Sequence, residues 1–238
     1  MNASSNSKKY KCIFFDLDHT LWDYEKNSHD TLVELYDQYD LFEKGVHNFD
    51  AFHQQFRKVN YELWYLFDRG MTNSETIRRE RFKQILEAFG AYETKLSEEL
   101  SHVYLNTCPL KGALMPHAHE TLKYLAEQQY RMAVITNGFE EIQNLKLTAG
   151  NLHQYFDHII TSQKANARKP AKEIFDYALS LQGIQCEQAM MIGDNLITDI
   201  GGAKNAGIDP IYYNPEQIGH GETLFREITS LTELRQVL

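Results

Sequence analysis

Two rhythms of hydrophobic and polar residues run along the chain, and the points where one gives way to the other divide it. Tyr10 to Phe15 is a short apolar run without helical period, which predicts a buried strand; the polar, Ser/Asn/Lys-rich residues 1–9 before it predict a mobile tail. From about Asp23 to Cys108 the apolar positions recur at helical spacing in successive stretches: NSHDTLVELYDQYD, NFDAFHQQFRKVNYELWYLF, NSETIRRERFKQILEAFG and SEELSHVYLNT. Asn and Ser precede several of these starts as N-cap candidates, and Gly90 is a C-cap candidate. After Pro109 the short apolar runs RMAVITN, DHIITS, AMMIGD and DPIYYN alternate with helical patterns in HAHETLKYLAEQQ, FEEIQNLKLTAG, AKEIFDYALSLQ and TDIGGAKNAG. Such alternation predicts βαβ units and a parallel sheet. A capping box, Ser230 with Glu233, opens the terminal SLTELRQVL.

The first strand has no partner inside the helical block, so it is expected to join the sheet built by the later strands. The predicted architecture is an α/β core from residues 1–22 and 109–238, with an all-helical domain, residues 23–108, inserted after the first strand. Ligands of open α/β sheets bind beyond the carboxyl ends of the strands. The insertion leaves the sheet at that end, and is expected to serve as a cap.

Composition narrows the function classes. With 33 Asp and Glu against 24 Lys and Arg, the formal charge of -9 disfavours broad attraction to nucleic acid or anionic lipid. No run approaches the roughly 18 apolar residues of a membrane span, and MNASSNSKK lacks an apolar signal region. A soluble, cytoplasmic protein is expected. Cys12, Cys108 and Cys186 are widely spaced and odd in number, which points to unpaired, inert thiols in a reducing compartment.

Polar residues stand just beyond four predicted strands: Asp16 and Asp18, Thr136 and Asn137, Lys169 in the loop after HIITS, and Asp194, with Asp199 a helical turn later. Asp16 and Asp18, two apart on extended backbone, face the same side while Leu17 faces away. Clustered carboxylates repel one another unless a cation intervenes, and an oxygen-only donor set suits Mg²⁺. A phosphate approaching them also needs an ammonium, for which Lys169 is the candidate, and donors, for which the Thr136 hydroxyl and the amides of the TNG turn are candidates. Asp16, at the strand terminus, is the candidate nucleophile for an aspartyl phosphate, and Asp18 the acid and base that serves both half-reactions. Among the site's glycines only Gly193 is given a role.

The ordered set DLDHT, ITNG, RKP and GDNLITD resembles the four motifs of the haloacid dehalogenase superfamily, whose phosphatases carry DxDxT, a Thr or Ser, a Lys, and GDxxxxD. The resemblance implies a Rossmann-like core, Asp16 as nucleophile, Asp18 as acid/base, and Thr136 and Lys169 on the phosphate. It also implies Mg²⁺ held by the Asp16 carboxylate, the Asp18 carbonyl and Asp194, with Thr20 and Asp199 in support. Dehalogenases of the superfamily lack the second aspartate of the first motif, so Asp18 points to phosphate chemistry. ITNGF, KPAKEIFDYAL and GDNLITDIGGAKNAG further resemble the YjjG-like pyrimidine 5′-nucleotidase branch. The expected substrate is a nucleoside 5′-monophosphate. The alternatives are a small sugar phosphate, phosphoglycolate or an acyl-sugar phosphate, or a phosphomutase in which Asp16 returns its phosphoryl group to another hydroxyl.

Other features carry plainer expectations. Tyr61, Trp64, Tyr65 and Phe67, within one helical stretch, are expected in the core rather than stacked on a base. Arg78, Arg79 and Arg81 of ETIRRERF are expected on a solvated helical face.

Overall fold

The computed structural model describes residues 9–238, so the tail expected over residues 1–9 lies, apart from Lys9, outside the described residues. Lys9 donates to Asp209 at 2.7 Å. Six strands form one sheet: β1 Cys12–Phe15, β2 Arg131–Thr136, β3 His158–Thr161, β4 Ala189–Gly193, β5 Asp209–Tyr213 and β6 Arg226–Ile228. Their order is β3-β2-β1-β4-β5-β6, and every neighbouring pair is parallel. This is the expected α/β, Rossmann-like arrangement. Strand β1 is central, with Phe15 opposite Val134 of β2 and Ile192 of β4. Its unbroken apolar run follows from that position, because a parallel strand covered on both faces needs apolar residues at every place. Cys12, Phe14, Ala133, Ile135, Ala189 and Met191 pack on one side with Ile174, Phe175 and Ala178, while Ile13, Phe15, Val134 and Ile192, of opposite parity, are equally buried.

The helices are α1 Tyr24–Gln38, α2 Phe49–Asp68, α3 Ser74–Ala88, α4 Thr94–Thr107, α5 Ala118–Glu127, α6 Glu140–Ala149, α7 Ser162–Ala165, α8 Lys172–Gln182, α9 Gly202–Asn205 and α10 Leu234–Val237. The chain divides into two compact units. One comprises the described residues of Met1–Asp23 with Leu114–Glu140 and Asn151–Leu238; the other comprises Tyr24–Ala113 and Glu141–Gly150.

In the second unit, α2 buries Phe52, Phe56, Val59, Leu63 and Phe67, one stripe at helical spacing. Phe56, Phe82 and Tyr104 form a ring cluster with centroids 5.2–5.9 Å apart. Asn48 and Asn73 cap α2 and α3 by accepting from Ala51 N and Thr76 N. Gly90, at φ +66°, follows α3 and closes its end. Asn27 instead lies inside α1, where its amide donates to Ala113 O and accepts from Ala113 N. That bond, with Arg78 donating to Glu141, ties residues 109–113 and α6 to the helical unit, although their sequence places them with the sheet.

Two side-chain expectations are corrected. Tyr61 is 69% exposed and Tyr65 43%, with the Arg69 guanidinium 3.4 Å from the Tyr65 ring, so these two do not pack in the core. Arg81 is buried rather than solvated. Strand β6 has no counterpart in the sequence reading, because two of its three residues are exposed at the sheet edge and leave no alternation to detect. Among the described residues, no helix is long and apolar enough to cross a membrane.

Candidate active site

The sheet's parallel direction sends the ends of β1, β2 and β4 the same way, and the expected site residues of the α/β unit gather there. Asp16 N–H donates to Ile192 O at 2.9 Å, extending the ladder one residue past β1 and fixing the Asp16 backbone against β4. Lys169 brings its side chain in from the segment between α7 and α8. Its Nζ donates to Asp16 Oδ1 at 2.5 Å and to Asp199 Oδ1 at 2.6 Å. All three side chains are buried, Lys169 being only 2% exposed.

The Lys169 backbone is held as firmly as its ammonium. Asn137 Nδ2 donates to Lys169 O at 2.9 Å, and Lys169 N–H donates to Asn137 Oδ1 at 2.8 Å. Asn137, expected beside the phosphate, therefore spends its side-chain amide on the main chain of the lysine. Thr136 Oγ1 accepts from Gly138 N–H at 3.0 Å, which orients the hydroxyl and turns that amide of the TNG turn inward on its own loop.

After β4, helix TDIGGAKNAG begins as a π-helical turn, Leu196–Gly201, before continuing as α9. Asn195 shapes it. Its Oδ1 accepts from Ile197 N and Thr198 N, while its own N–H donates to Asp199 Oδ2 at 3.0 Å. The wider turn delivers Asp199 back to the strand end, a common use of π geometry at functional sites. The sequence reading missed Asn195, although an Asn directly before a helical pattern is a capping signal. Gly193 makes room for this return, since a Cβ there would overlap the Asp199 carboxylate. Gly193→Ala is expected to lower stability by roughly 1–3 kcal/mol in chemical denaturation, the usual cost of overpacking.

Carboxylate oxygens of Asp16, Asp194 and Asp199 all lie within 4.8 Å of one another. Thr20 Oγ1 donates to Asp194 Oδ1 at 3.2 Å. The Asp18 carboxylate is not one of the three; this half-buried residue belongs to a tight hook in which His19, at φ +62°, donates its N–H to Trp22 O. Burial, reinforced by Asp199 and Asp194, pushes the Asp16 carboxyl well above its ordinary pKa against the pull of Lys169. Burial, with Asp199, pushes Asp194 up to about 7. For Lys169 burial favours the neutral amine, yet Asp16 and Asp199 outweigh it and the ammonium is stabilised overall. One ammonium cannot balance three crowded carboxylates. The residual negative charge and the all-oxygen donor set fit a hard divalent cation.

A family model described as haloacid dehalogenase-like hydrolase matches residues 10–207. Pyrimidine 5′-nucleotidase PynA of Streptococcus pneumoniae is 31% identical over 210 residues, covering 88% of this chain and 86% of that one. Pyrimidine 5′-nucleotidase YjjG of Escherichia coli is 31% identical over 238 residues, covering 97% and 98%. Human N-acylneuraminate-9-phosphatase is 30% identical over 206 residues, covering 84% and 80%. The magnesium-bound crystal structure of YfnB from Bacillus subtilis, named as a HAD-hydrolase, superimposes with a TM-score of 0.85 at 26% identity, covering 97% of this chain and 99% of that one. The parallel fold, the aspartates at the ends of β1 and β4 and the match over most of the length lead to one conclusion: the chain belongs to the haloacid dehalogenase-like hydrolase family.

Proposed function

We propose that the chain is a phosphomonoester hydrolase working through an aspartyl phosphate on Asp16, with nucleoside 5′-monophosphates, pyrimidine ones first, as substrates. The chemistry rests on one observation, a buried ammonium bonded at once to Asp16 and Asp199 beside Asp194. Mg²⁺ would be held by the Asp16 and Asp194 carboxylates and the Asp18 carbonyl, with Thr20 and Asp199 in support. When bound it supplies the positive charge that lets a phosphate dianion approach ionised carboxylates.

An Asp16 oxygen attacks phosphorus, and as the ester P–O bond breaks Asp18 gives its proton to the leaving oxygen. Asp18 then takes a proton from the water that attacks the aspartyl phosphate; inorganic phosphate leaves and the Asp16 carboxylate is restored. Lys169 and the Thr136 hydroxyl balance and orient the phosphoryl oxygens, and Asn137 keeps Lys169 in place. The helical unit, inserted between Asp23 and Leu114, is the part of the chain we assign to substrate selection, as a cap.

The substrate class rests on the similarity to PynA and YjjG. The match to N-acylneuraminate-9-phosphatase favours the second reading, a sugar phosphate. Phosphate release with Mg²⁺ from a panel of nucleotides, sugar phosphates and phosphoglycolate decides between them. Pyrimidine 5′-monophosphates are expected to lead by at least about tenfold in kcat/KM. A sugar phosphate leading by that margin would replace the substrate assignment and leave the chemistry standing. A need for a bisphosphate activator would instead indicate a mutase.

A further inference from the structure

The arginines of ETIRRERF differ sharply in their surroundings. Arg78 and Arg79 extend to Glu141 and Glu80. Arg81 is 5% exposed, its Nε is sealed from solvent without a hydrogen-bond partner, and among the described residues its guanidinium makes no ion pair. Its neighbours are rings and hydroxyls. The Arg81 Cζ stands 5.2 Å from the Tyr104 ring centroid and 5.8 Å from that of Phe56. Tyr104 Oη donates to Ser28 Oγ at 3.0 Å and lies 3.1 Å from Tyr24 Oη. Burial keeps the Tyr104 phenol well above its ordinary pKa, so no phenolate forms to balance the guanidinium. A second buried cation, Lys146, has its Nζ 5.8 Å from the Tyr24 ring centroid.

A guanidinium taken out of water without an opposing charge destabilises the fold, and aromatic faces offset only part of that. Its planar fork suits two oxygen acceptors on one group. Packing alone would be met by an apolar side chain of the same length. We propose that Arg81 anchors a recognition site in the helical unit for paired oxygen acceptors, as carried by a phosphate or a carboxylate, with the hydroxyls of Tyr24, Tyr104 and Ser28 beside it. Such a group arrives either as a free phosphate anion or as the carboxylate of a small acid.

Two measurements on the full chain, as wild type, Arg81→Met and Arg81→Lys, test this and separate the sources. Calorimetric titration with inorganic phosphate at saturating Mg²⁺ reads the free anion. An Arg81-dependent binding event, weakened at least tenfold in Arg81→Met and less in Arg81→Lys, supports that source. A parallel titration with glycolate reads the carboxylate. A tenfold weakening of the glycolate isotherm in Arg81→Met, with the phosphate isotherm unchanged, supports the second source. Isotherms unchanged for both probes overturn the proposal; should Arg81→Met fail to fold, Arg81→Lys alone decides, because it keeps the charge and loses the fork.

Discussion

Asp16→Asn is expected to lower kcat by at least about 10³-fold on every phosphomonoester, with a thermal midpoint in chelator no lower than that of the wild type. The two halves of this expectation have separate causes. Losing the nucleophilic oxygen removes the covalent route altogether, so the loss is in kcat and is the same for good and poor leaving groups. The stability half follows from burial. The Asp16 carboxyl sits well above its ordinary pKa, which means that its charged form is less at home in the fold than in the unfolded chain. A neutral amide of the same shape relieves that penalty, and Lys169 keeps Asp199 as a partner. Steady-state kinetics and a thermal melt check both halves. Retained activity would remove Asp16 from the chemistry, and a large fall in the midpoint would make its role structural.

Lys169→Met is expected to abolish measurable turnover and to lower stability by roughly 3–5 kcal/mol in metal-free buffer, the cost of breaking a buried ion pair and leaving charge uncompensated. Asp16 and Asp199 would then face each other across the methionine without a cation. The loss should shrink with acid. Asp194, already pushed up to about 7, binds more protons in the folded than in the unfolded chain between about 4 and 7, so its charge penalty disappears as pH falls through that window. Removing the ammonium leaves nothing to oppose the upward shift, and denaturation at pH 8 and pH 5 should show a smaller deficit at pH 5. Saturating Mg²⁺ should also narrow it. A deficit independent of both pH and Mg²⁺ would mean that packing around the lysine stem, rather than charge, accounts for the stability.

Much of this was legible in the chain for identifiable reasons. Unbroken apolar runs such as CIFF and AMMIG, alternating with helical patterns, fit strands covered on both faces of a parallel sheet, and they announced β1 and β4. Asp16 and Asp194 stood at their ends by position alone. Asn48 and Asn73 announced the starts of α2 and α3. What could not be read were long-range bonds between backbone and side chain: Asn27 to Ala113, and Asn137 to Lys169, separated by 86 and 32 residues. Nothing local distinguishes an asparagine that clamps a remote peptide from one that meets a ligand. The π turn was hidden because its cause, Asn195 donating to Asp199, is a competition between capping and helix geometry that apolar periodicity does not register. Arg81 was misplaced because three arginines close together read as a solvated face, although Arg81 stands four residues from both Ile77 and Ile85, on the apolar side of α3.

The paired amide bonds between Asn137 and Lys169 give the fold a mechanical linkage. The asparagine rides just past one neighbour of β1, and Asp199 rides just past the other. Any spreading of the sheet between β2 and β4 would thus tug the lysine across Asp16, so the ammonium works as a crossbar whose seating reports the spacing of three strands at once.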